Sequence, residues 1–304
     1  WDSSSDFLKR EVAKSRHSLL LKLAGYGDAD MINVFKNNKF IEPIAATKPA
    51  PGNLLTLQAK KLNSTHAMHF SSFHKYVRED SLWANKYTTP ETDLKRGWDK
   101  KIGYFKQFSS ILITEDGFKK ISSIYPSKND LPVHPPEKYG DRWDEELTDF
   151  DEKIVIKYLN KIADINKSSF SIKVGNKVVS PDESYYKSKS SFIFHVPRKS
   201  LLRAIKSNIF DDLLIGNFAK VLILDNQTVN FRNSFKIASK YIDNAGVNNL
   251  EELKKFLWVY RNSYDNKLVR IKSEIKVKSR DLILSKLISN KKILGFLKNI
   301  YQRF

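Results

Sequence analysis

Between Pro126 and Gly140 the chain carries four prolines, at 126, 132, 135 and 136. Proline fixes its own φ, lacks an amide proton and pushes the residue before it into extended backbone. No helix or interior strand can run through such a stretch, so the elements on either side must be built separately. The spacing predicts a linker or surface loop over 126–148. It separates residues 1–125 from a mixed α/β accessory region at 149–232 and a basic helical region at 233–304. His134, inside the loop, is expected to be exposed and without a role.

The pattern on both sides mixes helix and strand, which gives an α+β class. Ser3 to His17 has apolar residues at helical spacing behind a serine cap. Ser18 to Leu23, rich in leucine and of strand length, reads as a buried strand. Asn53 to Leu62 is predicted helical, and Thr65 to Phe70 a short strand that the hydroxyls of Ser71 and Ser72 end. Thr89-Pro90-Glu91 opens a helix, with Thr89 as cap and Pro90 in the first turn. Glu115-Asp116-Gly117 between apolar runs predicts a hairpin. Asp149 to Ile165 is amphipathic. Phe170 to Val179 is a second hairpin turning at Gly175-Asn176. Phe192 to Val196 and Ala219 to Leu224 are strands, and Pro197 starts a helix that runs to Ser207. Asp211, Asp212 and Asn217 are expected to make turn hydrogen bonds. From Asn233 onward the chain is helical, broken at Gly246.

The chain has no cysteine, which excludes disulfides and thiol chemistry and fits a cytoplasmic location. No apolar run approaches the roughly eighteen residues of a membrane span. The net charge of +19 implies attraction to phosphates, nucleic acid or an anionic membrane; codon bias toward Lys, Asn and Ile explains it equally well. Lys267 to Phe304 alone holds eleven Lys or Arg against two acids. With an apolar face at Leu282, Leu287 and Leu294, it reads as a peripheral membrane or partner helix, or as a basic outer helix on its own domain. The sequence opens at Trp1, with both methionines internal, so a fragment or a processed form is expected.

Chemically useful side chains converge in one stretch. His66, His69 and His74 fall within nine residues and are followed by Arg78, Asp80 and Asn85. The segment leaves a strand at its carboxyl end, where open α/β sheets place ligands. The strand period puts His66 and His69 on opposite faces, and one helical turn brings His74 and Arg78 to one side. His69, His74 and Asp80 are the candidate catalytic groups. Arg78, Ser72, Asn85 and Gly27 are the candidate binding groups, with the Arg fork suited to phosphate or carboxylate. Asp28 and Asp30, in the glycine turn at 25–30, are the weaker candidate cation ligands; an ordinary loop is the other meaning of that turn.

The residues His69 to Asn85, HFSSFHKYVREDSLWAN, resemble a segment from the second half of certain metallo-β-lactamase-fold hydrolases. The branch is that of ascorbate-phosphate lactonases and the hydrolase-like domain of CMP-sialic acid hydroxylase. Phe70, Ser71, Ser72, Phe73, Glu79 and Asn85 sit in matching places, His69 replaces the usual proline, and Arg78 stands where relatives often carry histidine. Leu19 to Phe35 resembles the strand and loop one step earlier. The resemblance implies that residues 1–125 form the second half of an αββα sandwich, followed by a β-hairpin and a helical C-terminal region. It implies a metal-dependent hydrolase of small anionic substrates, phosphorylated, sugar, lactone or amide. Zinc or manganese would be held mainly by a preceding or separate N-terminal half, because the family's His-x-His-x-Asp-His run is absent here. No cofactor is expected for this chain alone. The alternative is a non-enzymatic basic module that binds nucleic acid or an anionic membrane surface through residues 267–304.

Overall fold

A computed structural model describes residues 2–23, 25, 33–43, 50–70, 75–124, 131–166, 170–185, 192–224, 237–262 and 275. Residues Lys9–Leu253 form one compact unit; Trp1–Leu8 with Lys254–Phe304 form a second. In the second, the described residues are helical: the start of α1 (Asp2–Ala13), most of α7 (Leu250–Asn262) and Ile275. The basic segment 267–304 is otherwise outside the described residues.

The described residues of the larger unit form three sheets. β1 (Leu19–Lys22), β4 (His66–His69) and β5 (Gly103–Phe105) make a parallel sheet in the order β1-β4-β5. α2 (Pro51–Leu62) covers one face. It starts with Pro51 in its first turn, where the missing N–H is harmless, and ends at Asn63 in the left-handed conformation. Leu55 and Ala59, one turn apart, meet Ala67 and Ile102 in a fully apolar cluster, with Leu20 and Trp98 at its edge. α3 (Glu91–Lys95) packs beside α2, with Pro90 and not Thr89 in the cap position. β6 (Ser109–Thr114) and β7 (Gly117–Ser123) form the expected hairpin.

The third sheet has six strands in the order β3-β2-β11-β10-β8-β9. β2 is Asn33–Lys36 and β3 is Lys39–Ile41; β8 is Ser171–Val174 and β9 Lys177–Val179; β10 is Phe192–His195 and β11 Lys220–Ile223. β2 pairs in parallel with β11, Asn33 against Lys220. This sheet crosses the expected boundaries at 125 and 149, because its strands come from both sides of the proline-rich loop. One face is covered by α4 (Asp149–Asn166) and α5 (Arg198–Ser207). Val155, Leu159 and Ile162 of α4 and Leu201 of α5 are almost fully buried, at the three- and four-residue spacing of a core-facing helix. Phe170, Phe192, Phe194 and Phe210 form the aromatic centre, with ring centroids 5.0–6.4 Å apart. Burying one such ring contributes about 1.5–3 kcal/mol. α6 (Asp212–Ile215) is a short helix where turn bonds were expected.

The architecture is thus α+β, a mixture of helices with parallel and mixed sheets. No helix among the described residues is long and apolar enough to cross a membrane.

Candidate functional site

The opposite face of the six-stranded sheet carries a polar row. The register aligns Lys173, His195, Lys220 and Asn33 across β8, β10, β11 and β2. Trp143 covers part of this row: its ring meets His195 edge-on at 5.0 Å, and the Lys220 ammonium lies 4.3 Å from its centroid. Burial, reinforced by Lys173 and Lys220, pushes the His195 imidazole down to about 4. His195 is therefore neutral, and its Nε2 has no partner.

Trp143 connects this row to the predicted site. Its Nε1 donates to Asp80 Oδ2 at 2.8 Å. Asp80 in turn accepts both arms of the Arg78 fork, from Nε and Nη2 at 2.9 Å each. The third arm, Nη1, donates to Asp141 Oδ2 at 2.6 Å. Arg78 also lies over the Phe218 ring, 4.3 Å from its centroid. The side chains of Arg78 and Asp141 are only 7% and 2% exposed, so this is a buried ion network in which all three guanidinium nitrogens are hydrogen-bonded to carboxylates.

Asp141 has a second task. Pro197 caps α5 but has no side-chain acceptor to offer. Asp141 supplies it from outside the helix: Oδ1 accepts from Ser200 N at 2.9 Å and Oδ2 from Ser200 Oγ. Asp151 and Glu145 hold Arg198 in the first turn. The helix start is ringed with carboxylates, as its dipole favours.

The proline-rich loop is what brings Asp141 here. His134 forms a parallel β-bridge with Arg78: His134 N donates to Val77 O and Glu79 N to His134 O. Pro136–Tyr139 then makes a 3₁₀ turn that ends at Gly140, φ 78°. The described part of this loop is a docked element, not a spacer, and His134 anchors it.

Around these groups lies a cavity of about 380 Å³. Tyr76, Val77, Tyr139 and Phe218 give it an apolar and aromatic lining, and Lys75, Lys199 and Arg203 add cations. Arg78 and Asp141 reach it from the buried network.

The expected constellation is redistributed. His66 and His69 do face opposite ways: His66 stacks on Phe105, while His69 meets Tyr104 edge-on. His69 is fully buried, neither ring nitrogen has a partner, and burial plus the nearby Lys22 lowers it to about 4. It does not line the Arg78 cavity, so the expected pairing of His69 with Arg78 in one pocket is corrected. Arg78 is not a rim residue, because two carboxylates saturate it. Asp80 is committed to Arg78 and Trp143. Asn85 is engaged by its own loop: its Oδ1 accepts from Tyr76 N and its Nδ2 donates to Tyr76 O, both at 2.8 Å. Asn217 makes the expected turn hydrogen bond through its backbone, N to Leu214 O at 3.0 Å, while its side chain is buried, in the left-handed conformation, with neither polar atom partnered. Ser72, His74, Gly27, Asp28 and Asp30 lie outside the described residues.

The described residues do not by themselves fit a zinc or manganese ion. No three His, Asp or Glu side chains among them are grouped as ligands, His69 is fully buried beside Tyr104 and Lys22, and Asp80 is bound to Arg78. Comparison with protein-family descriptions, characterised proteins and solved structures finds no match to this chain.

Proposed function

We propose that this chain binds a small anionic ligand, carrying phosphate or carboxylate, in the cavity between the 75–81 segment and α5. The observation that carries this reading is the state of its cations. Lys199 and Arg203 line the cavity, are exposed, and their side chains have no acidic partner among the described residues. Arg78, by contrast, is already neutralised by Asp80 and Asp141, so the network acts as a wall and the unpaired Lys199 and Arg203 do the binding. A long ammonium and a guanidinium one helical turn apart suit an anion with several oxygens. The aromatic lining suits an apolar or planar remainder.

The test is a calorimetric titration with inorganic pyrophosphate, alongside the K199A/R203A variant. Each lost charge-assisted hydrogen bond weakens binding by about tenfold or more. A thermal melt unchanged from the parent shows that the fold is intact. Equal pyrophosphate affinity in the parent and the double variant refutes the proposal, as does no binding by either.

A further inference from the structure

The cavity shares Lys199 and Arg203 with a second concavity of about 510 Å³, which Gly140, Leu202, Lys206 and Ser207 also line. The two therefore lie on either side of one pair of cations, along a single helix. Lys199, Arg203 and Lys206 stand at positions i, i+4 and i+7 of α5, which is one stripe. At 1.5 Å per residue the stripe is about 10 Å long. All three are exposed, and their side chains make no ion pair or hydrogen bond among the described residues. Three acids of this region are already used: Asp141 on Arg78 and Ser200, Asp151 on Arg198, and Glu145, which also lines the second concavity, on Arg198. Gly140 has no side chain, which leaves room for Lys199 to lie across it. At the Lys199 end of the stripe stands Tyr139, the residue before Gly140, 43% exposed, its ring edge-on to His134.

A line of unpaired cations in a trough, ending at an exposed aromatic ring, matches a linear polyanion with flat side groups. We propose that α5 binds single-stranded nucleic acid. The backbone phosphates run along Lys199, Arg203 and Lys206, and one unpaired base enters the first cavity and stacks on Tyr139. The proposal rests on the anion-binding reading of that cavity and extends it to a polymer. A planar bilayer cannot follow a concave surface, and the paired bases of a duplex cannot reach the ring.

The experiment measures fluorescence anisotropy of a labelled oligodeoxythymidylate of about fifteen nucleotides, within the range of known single-strand site sizes, from low to moderate salt. The variants are K199A/R203A/K206A, K206A alone, and a control, K100A/K119A/K120A, which removes three exposed lysines elsewhere. The stripe variant should lose at least about tenfold in affinity. Its slope of log affinity against log salt should fall by about 2, from three contacts at roughly 0.7 each. The control should match the parent. An equal loss in the control overturns the proposal in favour of diffuse charge. Lys206 lines only the second concavity, so K206A separates the two readings. If K206A leaves oligonucleotide affinity unchanged while K199A/R203A loses pyrophosphate, the polymer proposal fails and the small-ligand reading stands. If K206A weakens binding to phosphatidylserine vesicles but not to the oligonucleotide, a lipid surface is the partner and the proposal fails. If pyrophosphate does not bind at all, the cavity reading fails first and the polymer proposal falls with it.

Discussion

Replacing Asp141 by alanine removes one carboxylate that serves two structures. Arg78 loses the 2.6 Å bond at Nη1, and Ser200 loses acceptors for both its amide and its hydroxyl. Removing one partner of a buried ion pair costs about 3–5 kcal/mol, and removing a helix cap about 0.5–2 kcal/mol. The two overlap, because Asp80 still holds the other two arms of Arg78. An overall loss of about 4 kcal/mol follows, a large part of the ~5–15 kcal/mol of a typical domain. D141N separates the two contributions. Its carbonyl oxygen still accepts from Ser200 N, but its NH₂ faces a guanidinium donor, so the ion loss persists and only about 1 kcal/mol is recovered. The assay is urea unfolding followed by tryptophan fluorescence, since Trp143 bonds directly to Asp80. The R78M/D141A double variant completes a cycle, with an expected coupling of about 1–3 kcal/mol. A D141A loss below about 1 kcal/mol, or a coupling near zero, refutes the reasoning: water would then be screening the network.

Two further predictions concern the other sheet. His69 has a folded-state pKa near 4 against an ordinary value of 6.5, so the unfolded chain binds the extra proton between these values. Its contribution is complete above pH 6.5 and is lost as the pH falls toward 4, by up to about 3 kcal/mol. His195 acts in the same direction over the same window. In H69L the difference in urea stability between pH 7 and pH 5 should shrink, and an unchanged difference would show that His69 reaches solvent. Gly52 sits in the first turn of α2, where alanine normally adds up to about 1 kcal/mol. Here a Cβ would collide with the backbone carbonyls of Leu94 and Arg96, so G52A should lower the melting temperature, and a rise would mean that α3 can shift away.

Local elements were legible because their signals are local. Pro197 marks a helix start, Gly117 and Gly175 mark hairpins, and the spacing of Val155, Leu159 and Ile162 marks a buried helix face; α2, expected from Asn53, starts two residues earlier at Pro51. Period two alone separates His66 from His69. The site was legible only in its first member. Arg78 was singled out as a cation awaiting an anion, but nothing local states that Asp141, 63 residues on, neutralises it. The signal that existed was the combination of a helix start at Pro197 with no capping side chain of its own and an Asp directly after Gly140. Lys199 and Arg203 were hidden by composition: in a chain with 53 lysines and arginines, no single cation stands out before its partners are known.

Fold and proposed site meet in the wall of the cavity. Arg78 and Asp141 line it, yet both are spent on structure, and what they fix is the start of α5. Lys199 is the residue before Ser200, whose amide and hydroxyl Asp141 holds, and Arg203 follows one turn later. The position of the free cations is therefore set by a bond that begins in the loop at 75–81 and passes through a carboxylate. On the proposed anion-binding reading, Arg78 is a positioning residue and the unpaired cations of α5 are the ligands. The same network explains how an arginine in a pocket can be nearly fully buried: its charge is balanced where it stands, and the cations left for a ligand are those that no carboxylate holds.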